Sequence, residues 1–186
     1  MKTNTLTAWL SQPRTAVTNA VTECVRDHFA SLRKQGIDPY GYALLPGEPY
    51  DIHSVVAAYS CESEVKVPVG DKLYRYYRYS VDEWLHYIHE GFDIANKSIV
   101  DANAEFASMH EDDGDGVMDD FEIAHSRGLL EAILKGFEAA KQAGVFGEPG
   151  IYLAMWISDS GHEIMAESVR RMNSAAIVKE YMKEFG

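Results

Sequence analysis

From position 17 to 32, apolar side chains return every three or four residues, at Val17, Ala20, Val21, Cys24, Val25, Phe29 and Leu32. That spacing is the period of one helix face. It predicts a helix over 6–34, interrupted near Pro13, whose apolar stripe packs on a sheet. Gly36 and Pro39 stop it, and "YGYALL" and "IHSVVAAYS" then read as two strands flanking the turn-forming "PGEPYD", an antiparallel hairpin with a long loop. In "KLYRYYRYS" the set Tyr74, Tyr76 and Arg78 alternates with Arg75, Tyr77 and Tyr79, which predicts a short strand. Ser80 with Glu83 three residues later has the form of a capping box and predicts a helix carrying Trp84, Leu85 and Ile88, ended or bent at Gly91.

Helical spacing resumes at Phe92, Ala95, Ile99, Ala102, Phe106 and Met109, and again at Leu130, Ile133, Leu134 and Phe137, with Gly144 as a stop. "IYLAMWIS" is the clearest later strand, and "IVKEYMKEF" is a short amphipathic helix burying Ile177, Val178, Tyr181 and Phe185. The elements predict one α+β domain over 1–186, an antiparallel or mixed sheet packed against several helices. With 186 residues, 46% of them hydrophobic and 11% aromatic, the chain can fill one core, and a second domain would be crowded.

The formal net charge is -12, and seven of those negative charges come from the acidic segment 111–122, "EDDGDGVMDDFE", leaving -5 for the rest. This balance points away from nucleic acid and anionic membrane and towards a cation or a basic protein surface. The start "MKTNTLTAWLSQ" lacks a basic stretch followed by an apolar core, and no apolar run approaches twenty residues, so a cytoplasmic product without a membrane span is expected. Cys24 and Cys61 lack a paired metal-binding spacing and read as ordinary thiols.

The acidic segment aligns with a twelve-residue calcium loop. Glu111, Asp113 and Asp115 take the first side-chain positions, Gly116 the sharp turn and Val117 the carbonyl position. Asp119 would act through water, and Glu122 would coordinate through both oxygens. Glu111 stands where the shorter Asp is preferred, and no second loop supplies a partner. The competing reading is a solvated acidic crossing between two helices, so Ca2+ is a cofactor candidate rather than a requirement.

Chemistry elsewhere is sparse. His86 and His89 would share a face of the expected helix with Asp82 and Glu90 nearby, but a polar surface face produces the same pattern. His53, His125 and His162 have no diagnostic neighbours. There is no G-x-S-x-G elbow, and neither cysteine is tied to a histidine and a carboxylate. Arg75 and Arg78, set among tyrosines that include Tyr76, have the composition of a phosphate- or base-stacking surface, or of a strand with its arginine heads in solvent.

The stretches "YGYALL", "YRYSVDEW" and "GVFGEPGIYLAMWISDSGHEIMAESVRRMNSAAIVKEYMKEF" resemble the bacterial domain-of-unknown-function family numbered 4303, over nearly the whole chain and most specifically in its final third. The resemblance implies one α+β domain and marks Trp84, Asp159, Ser168 and Asn173 as positions of a shared pocket. The chain departs from the family where Tyr79 follows Arg78 in place of a Trp, and where "YSCESEV" replaces an Asn-Thr-Glu turn. The same likeness implies a link to toxin immunity. Acidity with many tyrosines suits a non-catalytic interaction domain that covers a basic toxin. The alternatives are a calcium-responsive protein centred on 111–122 and a hydrolase with a pocket around Trp84, Asp159 and Ser168.

Overall fold

The computed structural model describes residues 2–110, 117–147 and 150–186. Two helices open the chain, α1 (Lys2–Leu10) and α2 (Thr15–Lys34), separated at Pro13 as the sequence predicts. The hairpin is present as β1 (Gly41–Leu45) and β2 (Val56–Ser60), paired antiparallel with Ala43 opposite Ala58. β3 (His86–Ile88) adds antiparallel to β2, and β4 (Tyr152–Met155) adds parallel to β1, giving a mixed sheet of order β3-β2-β1-β4. The remaining helices are α3 (Tyr74–Tyr79), α4 (Asp93–Met109), α5 (Asp120–Gln142), α6 (Glu163–Met172) and α7 (Ala175–Phe185). The result is an α+β fold with helices against a mixed sheet.

Alternation along β1 assigns the two faces. Tyr42 points towards α2 and α5, where its ring meets Phe29 and Phe137 and its hydroxyl lies 2.8 Å from His28 Nδ1. Gly41 faces the other way, towards Trp84 and Tyr152, and that side is filled by Tyr79, Tyr152 and Tyr181 from α3, β4 and α7. A Cβ at Gly41 would stand 2.7 Å from the Trp84 ring, so the absence of a side chain there makes room for the indole. The helix stripes expected of α2 and α5 are buried, and that of α4 is buried at Phe92, Ala95, Ile99 and Phe106 with Ala102 and Met109 half-buried; Val21, Val25, Ile99, Ile133 and Phe137 are essentially inaccessible. α2 and α5 cross closely: a Cβ at Gly136 would meet Thr18 O at 2.6 Å, and Thr22 Oγ1 donates to Gly136 O at 3.0 Å.

Three local expectations are corrected. The "YRYYRY" stretch is helical rather than extended. Its residues can also be taken in steps of four, and tertiary contacts select that period. Tyr74 and Arg78 lie one turn apart and both reach Glu62, while Arg75 reaches Glu180 of α7. The Asp71 carboxylate accepts the Leu73 N–H at the entry to this helix. Next, residues 81–83 form a single 3-10 turn and His86–Ile88 is a strand, so no helix carries Trp84, Leu85 and Ile88. The expected capping box fails because Glu83 is taken by Lys66 at 2.6 Å and Tyr76 at 3.0 Å, and Ser80 makes no side-chain cap. Trp84 is buried as expected, but it enters from extended backbone. Finally, His86 and His89 do not share a helix face: His86 lies on β3, stacks on Tyr59 at 4.4 Å and approaches Glu64 at 2.6 Å through Nε2.

Candidate functional site

β1 and β4 are the parallel pair, so their C-terminal ends open on the same side of the sheet. In mixed and parallel sheets the loops leaving those ends are the usual walls of a ligand cleft. Here the chain after β1 supplies Pro49 and Tyr50, and the chain after β4 leads through His162 into α6. Between them and α5 lies a groove of about 720 Å³. Its floor is apolar, with Leu130 and Ile164 nearly inaccessible and Met118 and Ile123 beside them. Among the described residues, Glu131, Glu163, Glu167 and Arg127 provide the charge.

The walls are fixed by polar side chains that interrupt otherwise apolar helix faces. Asn96 Oδ1 accepts the Val55 N–H at 2.7 Å, Asn103 Nδ2 donates to Ile52 O at 2.8 Å, and Ser126 Oγ donates to Tyr50 O at 2.9 Å. These three bonds tie the β1–β2 connection to α4 and α5. On the other wall Arg171 joins α6 to α5. It donates through two nitrogens to Glu138, at 2.8 and 2.6 Å, and through Nη1 to Glu131 at 3.0 Å and Glu167 at 2.9 Å. Glu138 and the other glutamates push the Arg171 guanidinium further up from its already high value. Burial raises the Glu131 carboxyl, but Arg171 and Lys135 outweigh it and hold the group below the usual carboxylate range. Arrays of this kind fix side-chain positions more than they add net stability.

His162 begins α6. Its Nδ1 accepts the Ile164 N–H at 3.2 Å, and its ring meets Tyr50 edge-on at 5.9 Å. A ring nitrogen that accepts carries no proton, so the neutral ring carries its hydrogen on Nε2.

The positions marked from the sequence lie elsewhere. Ser168 and Asn173 come together along β4. The buried Ser168 Oγ accepts the Met155 N–H at 2.9 Å and donates to Met165 O at 2.8 Å. The Asn173 carboxamide accepts from Leu153 N at 2.9 Å and donates to Leu153 O at 2.6 Å. Trp84 is buried between Tyr40 and Tyr152. Asp159 is exposed in the turn after β4, with a left-handed φ of 52°. Tyr76 bonds Glu83, and Arg78 lies 4.2 Å over the Tyr40 ring and grips Glu62. None of these six lines the groove.

Of the calcium-loop positions, Glu111, Asp113 and Asp115 lie outside the described residues. Val117 is exposed. Asp119 is the N-cap of α5, accepting from Phe121 N and Glu122 N, and the Glu122 carboxylate accepts from Asp119 N at 2.8 Å. His110 Nε2 lies 2.8 Å from the other Asp119 oxygen. The box thus gives both carboxylates a role at the start of the helix. Among the described residues no group of three or more His, Cys, Asp or Glu side chains is arranged to hold a metal ion, and no helix is long and apolar enough to cross a membrane.

Sequence reasoning missed Asn96, Asn103, Ser126, Arg127, Glu131, His162 and Arg171 as a set. Asn96 and Asn103 carried a usable signal: two carboxamides seven residues apart lie on one helix face. In the Arg171 array the i,i+4 pair Glu167 and Arg171 carried a local signal, whereas its link to Glu131 and Glu138 on α5 did not.

No curated protein and no solved structure matches the chain. A family model does, over residues 17–174, from the middle of the first helical region to the cap of α7, and with that match the chain belongs to the family described as Domain of unknown function (DUF4303).

Proposed function

We propose that the protein is a non-catalytic interaction domain whose partner is a basic protein, with immunity to a basic toxin as the biological setting. The reading is carried by one observation: among the described residues, an apolar-floored groove carries Glu131, Glu163 and Glu167 with Arg127, and Glu131 and Glu167 are held in place by Arg171 while Glu163 has no ion-pair partner. The net charge of -12 adds long-range attraction for a cationic surface. The commitments of His162 Nδ1 to the start of α6, and of Glu131 and Glu167 to Arg171, suit recognition by preformed shape better than proton transfer. Burial and the neighbouring acidic groups Glu64 and Asp38 also push the Cys61 thiol up, away from the thiolate a nucleophile needs.

The immobilised protein is expected to retain a basic partner from its producing cells, and calorimetry of that pair tests the reading. Raising salt should slow association, whereas Tyr50→Ala should mainly accelerate dissociation. Recovery of no partner, together with turnover of a small molecule blocked by substitutions in the groove, would overturn it.

A further inference from the structure

Two charged side chains on the groove have no ion-pair partner among the described residues: Arg127 on α5 and Glu163 in the first turn of α6. Glu167 engages Arg171 through Oε1, leaving Oε2 uncommitted among the described residues. Leu130 and Ile164, 2% and 5% exposed, form the floor. The groove therefore offers an apolar seat, carboxylate oxygens on the α6 side and, on the α5 side, a guanidinium without an ion-pair partner among the described residues. A volume of about 720 Å³ is the size of a cleft that takes one short ligand segment rather than a broad protein face.

Resting on the interaction reading above, we infer that the groove takes a single short segment of the basic partner in which an aliphatic residue is flanked by lysine or arginine. The aliphatic side chain packs on the accessible apolar lining of Pro49, Tyr50, Met118 and Ile123, above the buried Leu130 and Ile164. The neighbouring cation pairs with Glu163 and the open oxygen of Glu167, and Arg127 and the Nε2–H of His162 donate to carbonyls of the segment. Counting the ion-pair array, Glu131, Glu138, Glu163 and Glu167 stand against Arg127, Lys135 and Arg171 among the described residues, and the surplus carboxylate sets the sign of the ligand, since an acidic segment would leave Glu163 facing like charge. The accessible apolar lining of Pro49, Tyr50, Met118 and Ile123 separates this ligand from a plain polycation, which has no aliphatic side chain to bury against it.

The test titrates the isotopically labelled full chain with acetyl-Gly-Lys-Leu-Leu-Lys-Gly-amide, following the methyl signals of Ile123, Leu130 and Ile164. The control peptides carry Gly in place of Leu, or Glu in place of Lys. Saturable shifts confined to the groove are expected for the first peptide alone, weakened about fivefold or more in Glu163→Gln. Arg127→Gln should weaken binding as well, and both exposed substitutions should leave the amide spectrum dispersed as in the parent. Equal responses to the two lysine peptides, or shifts gathered outside the groove, would overturn the inference while leaving general attraction to a basic partner intact. Silence towards all three peptides, with calorimetric binding of the captured full-length partner unchanged in Glu163→Gln, would overturn it too and place that partner on another surface.

Discussion

Along β4 the outward backbone groups of Leu153 and Met155 meet a carboxamide and a hydroxyl, Asn173 and Ser168 of the α6 region. Along β3, at the other edge of the same sheet, the fastening is a carboxylate: Glu64 accepts the Cys61 N–H at 2.7 Å and pairs with His86 at 2.6 Å. β4 is buried at every position, whereas β3 has three residues and leaves Tyr87 39% exposed, with Leu85 just before it 64% exposed. One edge is closed by a hydroxyl and a carboxamide, whereas the other is fastened through a carboxylate. This difference also explains the family-marked positions: Ser168 and Asn173 complete a sheet edge, and a helix held so firmly provides a fixed wall for the groove.

The strongest way to break the comparison is to remove the β4 cover. Ser168→Ala leaves the buried Met155 N–H without its partner, and Asn173→Ala does the same to Leu153 N and O, at about 2 kcal/mol each. Urea denaturation should show both losses, with the pair deviating from additivity because the two sites share β4. Gly41→Ala should follow at about 1–3 kcal/mol, since the added methyl meets the Trp84 ring in a filled core and forces it to move.

Acid sharpens the contrast. Burial raises the Glu64 carboxyl, but the Cys61 N–H and His86 outweigh it and hold the group below its ordinary value. A carboxyl depressed in the folded state contributes stability that is present above its unfolded value and is lost as pH falls through the folded one. Amide protection factors at 86–88, corrected for intrinsic exchange at each pH, should therefore fall as pH drops below the ordinary carboxylate range, with Leu153 and Met155 protected until the whole fold opens. Glu64→Gln should reproduce that loosening at neutral pH, and equal acid response at both edges would remove the distinction. The smallest effect belongs to the exposed residue just before β3, where Leu85→Lys should change stability by no more than about 0.5 kcal/mol.

The long helices were legible because their apolar stripes run over several turns, and β1, β2 and β4 because they are short, bounded and hydrophobic. Residues 72–91 were not. The tyrosines there favour a strand by propensity, and the helix is chosen against it by contacts with Glu62, Glu83 and Glu180, partners that local spacing does not identify. The groove was hidden for the same reason: its parts come from the β1–β2 connection, α5 and α6, and only the parallel pairing of β1 with β4 brings them to one side of the sheet.

That parallel pairing has a consequence during synthesis. Gly41 is matched with Tyr152, and Leu44 with Met155, so β1 emerges from the ribosome with β2 soon after it but waits for β4. At about 5–20 residues per second the interval is roughly 6–20 s. Throughout it, one side of β1 is an unpaired strand edge in a nascent chain that already contains α2 and β2, open to wrong partners. Slower translation of the α4 and α5 region would lengthen that exposure, and an occupant able to shield β1 in the interim would raise the yield of folded protein without binding the finished one.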